Sequence, residues 1–98
     1  MVLVLQKNQN MNTIQVILTL DMENLPANFQ EIMQQEQAMV ATWKAKGIIE
    51  HLYLRETKNG AVLMFKDLSE AEVKEMIEGL PFFPLSKSIE YFNLIKQF

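Results

Sequence analysis

Two hydrophobic spacings alternate along the chain. From Asn12 to Leu20, NTIQVILTL, apolar residues fall at every second position, so Ile14, Val16, Leu18 and Leu20 share one face of an extended segment. From Leu25 to Gly47 the spacing becomes three, four and seven, the repeat of a helix. Phe29, Ile32, Met33, Met39, Val40 and Trp43 form one stripe, and Gln30, Gln34, Gln37 and Ala41 lie on the solvated side. Pro26 or Asn28 can begin this helix and Gly47 can stop it, with Lys44 and Lys46 well placed for its C-terminal dipole. Extended patterns return at Ile48–Glu56, IIEHLYLRE, and Ala61–Lys66, AVLMFK. Between them Lys58-Asn59-Gly60 predicts a hairpin, with the Asn-Gly pair in left-handed turn positions. Ser69 with Glu72 forms a capping box for a second helix, whose apolar side is Val73, Met76 and Ile77 and whose end is Gly79. An apolar loop, LPFFPL, leads into a last strand at Lys87–Lys96.

The order β-α-β-β-α-β predicts an α+β, ferredoxin-like domain over residues 12–98, a four-stranded antiparallel sheet with both helices on one face. Residues 1–11 read as an N-terminal extension or an added edge strand. The second strand alternates Ile48, Glu50, Leu52 and Leu54 against Ile49, His51, Tyr53 and Arg55, so neither face is cleanly polar. The last strand likewise carries Phe92 and Leu94 on one face and Ile89, Tyr91 and Ile95 on the other. A sheet that is apolar on both faces but covered by helices on one needs a partner for the second. Sheet-to-sheet homodimerisation is the simplest expectation.

One residue breaks the pattern of the first helix. Glu36 lies mid-stripe, seven residues after Phe29 and seven before Trp43. A carboxylate there is expensive unless it is paired, hydrogen-bonded or protonated. Burial would also raise its pKa towards the range in which a general base works best near neutral pH.

Composition narrows the function classes. The net charge is −3 with signs mixed along the chain and no basic run, which argues against a nucleic-acid partner. There is no cysteine, so no disulfide, thiolate metal site or cysteine nucleophile, and this fits a cytoplasmic location. A single histidine cannot build a multi-histidine metal centre, and no metal or cofactor is expected. No apolar run approaches the roughly 20 residues that cross a bilayer, so a membrane is not expected either.

Glu36 stands eleven residues before Gly47, and His51 is the fourth residue after that glycine. Tyr53 and Arg55 follow, then Phe65, then Leu80-Pro81-Phe82-Phe83-Pro84 and Ile89-Glu90. In this spacing the chain, from about Ile14 to Leu94, resembles the muconolactone isomerase family of the dimeric α/β-barrel superfamily. The resemblance implies a ferredoxin-like protomer that dimerises through its sheet and can build larger rings. It also implies a proton shift on an unsaturated lactone without metal or cofactor, with Glu36 as the candidate shuttle and His51 as its candidate partner. Gln15 and Ile17 stand where the family carries basic residues.

Two expectations follow. One is a cofactor-independent enzyme in which Glu36 and His51 are catalytic and Tyr53, Arg55, Trp43, Phe82 and Phe83 contact a small ligand. The other is a non-catalytic oligomeric module that binds a small ligand or is structural. The position of Glu36 relative to a cavity discriminates between them.

Overall fold

The computed structural model describes residues 12–97; the expected extension or edge strand at residues 1–11 lies outside the described residues. Strand β1 spans Asn12–Leu20, helix α1 Phe29–Ala45, β2 Ile49–Leu54, β3 Gly60–Lys66, α2 Glu70–Glu78 and β4 Ser86–Ile95. The four strands form one antiparallel sheet in the order β2-β3-β1-β4. This is the ferredoxin-like β-α-β-β-α-β arrangement expected from the periodicity.

Strand register assigns each residue to a face. Leu52, Leu63, Val16 and Tyr91 make one cross-sheet row, and Leu54, Ala61, Leu18 and Ile89 the next. These rows face the helices. Ile14, Val16, Leu18, Leu63 and Phe65 are buried there with Val40 and Trp43 of α1 and Val73 and Ile77 of α2. The Trp43 and Phe65 rings meet at 5.7 Å and 58°. The rows His51–Met64–Gln15–Phe92 and Tyr53–Val62–Ile17–Glu90 lie on the opposite face.

Local chemistry fixes the element ends. Gly47, at φ 75°, takes the left-handed position after α1. Its N–H donates to Lys44 O and the Ile48 N–H donates to Trp43 O, the paired bonds of a Schellman motif. At α2 the Ser69 hydroxyl accepts from the Glu72 N–H at 3.1 Å, and the Glu72 carboxylate accepts from the Ser69 N–H at 2.8 Å, as the sequence predicts.

The β2–β3 turn differs from expectation. Lys58, not the Asn-Gly pair, holds the left-handed position, at φ 62°. Its N–H donates to Arg55 O, and the Arg55 N–H donates to Gly60 O. Gly60 is needed for a different reason: a Cβ there would lie 2.1 Å from the Leu18 carbonyl oxygen of the neighbouring strand. The stripe on α1 is also narrower than its spacing suggests. Glu36, Val40 and Trp43 are buried, whereas Met39 is 36 % exposed.

Candidate functional site

Helix α1 carries Glu36 towards the sheet, and the loop after α2 comes to meet it. That loop turns tightly because the Phe83 N–H donates to Leu80 O and the Leu85 N–H to Phe82 O, while the Leu80 side chain is buried beneath. The turn aims the Phe82 N–H outward, and it donates to Glu36 Oε1 at 2.9 Å. Among the described residues nothing else bonds the carboxylate, and no buried side-chain oxygen is left without a partner. The Phe82 ring stacks on Phe29, the first residue of α1, at 5.6 Å and 5°.

Beside this carboxylate runs a cleft of about 920 Å³ between α1 and the β2–β3 side of the sheet. Leu18, Leu63 and Val40 form its buried wall, Phe29 and Phe82 its aromatic end, and Leu52 and Leu54 its mouth. The mouth residues are 46 % and 81 % exposed although they point to the helix side. Among the described residues Glu36 is the one buried side chain in the cleft that carries a charge. Burial pushes its carboxyl above the ordinary range, and the bond from Phe82 offsets part of that rise.

The sequence-derived candidates separate into groups. Glu36 and Phe82 are in contact and both line the cleft. Trp43 is buried against Phe65 in the core and does not line the cleft. Phe83 sits outside the cleft in a one-turn helix, Phe83–Leu85, and is 37 % exposed. Tyr53 is 57 % exposed on the opposite sheet face, its ring 6.0 Å from that of His51.

His51 does not pair with Glu36 within the chain. Atoms of His51 and Arg55 form part of the cleft wall where it meets the edge strand, but strand register turns the His51 row to the other face. Arg55 points the same way: its Nη1 donates to Thr19 Oγ1 at 3.1 Å across Gly60. The cause is a β-bulge between Ile49 and His51. Ile49 pairs with Phe65 on the helix side, and the inserted residue places His51 and Tyr53 on the far side.

Three lining residues escape sequence reasoning as ligand contacts. Phe29 and Met33 read only as stripe, and Leu54 only as strand; the packing of α1 against the sheet brings them to a common space.

The fold and the cleft together define a ferredoxin-like α+β domain with one desolvated carboxylate in an apolar recess. The chain matches no family model and no curated protein. Among the described residues no helix is long and apolar enough to cross a membrane, and no cluster of three His, Asp or Glu side chains is spaced to hold a metal ion.

Proposed function

We propose that this protein is a small isomerase of the muconolactone isomerase kind, acting in the cytoplasm as a homodimer, in which Glu36 moves a proton on a small unsaturated lactone or acid. The observation that carries the reading is the Glu36 carboxylate, desolvated, fixed by the Phe82 N–H and opening on a cleft large enough for a small molecule. A base of raised pKa, held in place, removes a carbon-bound proton more readily than an ordinary carboxylate and can return it to a neighbouring carbon. Because His51 and Arg55 face away, the reaction is written with Glu36 as sole base, and His51 and Tyr53 are assigned to the dimer interface. Homodimerisation through the far sheet face is supported by Ile17, Val62, Met64, Phe92 and Leu94, which give that face an apolar surface.

The test is Glu36→Gln assayed on a panel of unsaturated lactones. The amide keeps the shape and still accepts from Phe82, so turnover should vanish with the fold intact. Unchanged turnover on a validated substrate would sink the reading.

A second reading, a non-catalytic oligomeric module that binds a small ligand, is favoured by one fact. Glu36 has no second buried acid–base side chain beside it in the cleft among the described residues. Under that reading Glu36→Gln changes ligand affinity, and no solvent proton enters the ligand.

A further inference from the structure

Resting on the proton-shuttle reading of Glu36, the charge layout of the cleft narrows the substrate class. The buried wall is apolar apart from one acid. The other charged groups that line the cleft are on its periphery. Glu50 is paired with Lys96 at 3.5 Å, and Arg55, though cationic, is turned towards Thr19 on the far face. Lys44 and Lys58 are exposed, where water and salt weaken their field. His51 belongs to the row on the far face.

We infer that the cleft takes an uncharged, flat, largely apolar carbonyl compound, such as a neutral unsaturated lactone or enone, and discriminates against one bearing a carboxylate. Charge conservation gives the reason. With an uncharged substrate the reacting pair carries a single negative charge throughout. Glu36 takes the proton from the carbon next to the carbonyl, the C–H electron pair moves into the enolate, and the carboxyl becomes neutral. The same carboxyl then protonates the far end of the conjugated system, the double bond shifts, and the carboxylate is restored. No other reactant is consumed. A carboxylate-bearing substrate would put a second negative charge in the same apolar recess at every stage, with no buried cation among the described residues to offset it. Phe29 and Phe82 stack on each other at 5.6 Å, and together they give the cleft an apolar aromatic surface beside Glu36 against which a flat molecule can lie.

The experiment uses a matched pair of probes: a phenyl-substituted unsaturated γ-lactone, and the same lactone with a carboxylate on the phenyl ring. Binding is measured by calorimetry at pH 8 for the natural chain and for Glu36→Gln. The uncharged lactone should bind the natural chain about tenfold or more tightly than the anion, and the gap should narrow in Glu36→Gln, which removes the like charge. Equal or tighter binding of the anion to the natural chain overturns the inference, as does binding of neither probe. Solvent deuterium exchange at the ring carbons is read separately. If the uncharged lactone binds preferentially but takes up no deuterium, the proton-shuttle reading fails while the ligand class stands.

Discussion

The Phe82 backbone N–H donates to Glu36 Oε1 at 2.9 Å, joining residues 46 apart in the chain. This bond lets a carboxylate occupy the centre of an apolar helix stripe. It also fastens the LPFFP loop to α1, so the acid is held beside the aromatic end of the cleft.

A dependence of stability on pH follows from the raised Glu36 pKa. The folded state binds this proton more tightly than the unfolded chain, whose carboxyl titrates near the ordinary 4.5. The stabilisation from Glu36 is therefore complete below that value and is lost as pH rises through the higher folded pKa. Urea denaturation of the natural chain and of Glu36→Gln, from pH 4 to pH 8, should show the natural chain losing stability relative to the variant as pH increases. Parallel curves would contradict the assignment.

The two turn positions of the β2–β3 hairpin should respond in opposite directions. Gly60→Ala forces a Cβ against the Leu18 carbonyl, so β1 and β3 must separate, at a cost of about 2 kcal/mol or more. Lys58→Gly relieves a side chain at φ 62° and should be neutral or stabilising by up to about 1 kcal/mol. Thermal denaturation of both variants reads the sign directly.

Truncating the aromatic end should damage the cleft and stability together. Phe29→Ala removes the stacking partner of Phe82 and should cost about 2 kcal/mol, less than for a fully buried ring because Phe29 is half-buried. Binding of an uncharged aromatic lactone should weaken in step, whereas Phe83→Ala, outside the cleft, should leave affinity unchanged. Calorimetric titration of the two variants separates the roles of these adjacent phenylalanines.

The proposed dimer predicts that sedimentation at micromolar concentration shows a two-chain species. Replacing Phe92 and Leu94, which are 42 % and 36 % exposed on the far sheet face, with lysine should give a folded monomer. A monomeric natural chain under those conditions would remove the dimer from the reading.

Much of the architecture was legible because periodicity is a local property. Alternation in β1, helical spacing in α1 and the Ser69–Glu72 pair each act over a few residues, and the elements form where these signals stand. Glu36 was legible for the same reason, as a charge on an apolar stripe. The relation of Glu36 to His51 was not. Alternation places Ile49, His51 and Tyr53 on one face, and the bulge separates Ile49 from the other two. A bulge depends on how one strand registers against its neighbour, which the spacing within a single strand does not encode. The Asn-Gly signal misled in a related way. The dipeptide suits a left-handed turn, but the glycine is required by the Leu18 backbone of a different strand, and the turn strain falls on Lys58. The cleft itself depends on where α1 lies across the sheet, a tertiary relation that leaves Leu52 and Leu54 facing open space.

The bulge has a consequence for self-association as well. Among the described residues β2 is an edge strand, and an edge presents unpaired amides and carbonyls that can template the addition of another strand. Two exposed leucines at the cleft mouth would make such growth adhesive. The irregularity between Ile49 and His51 interrupts the repeat of hydrogen-bonding groups, and only the six residues Ile49–Leu54 are offered. An incoming straight strand meets a broken template, so the irregularity that turns His51 away from Glu36 also makes this edge a poorer seat for an added strand.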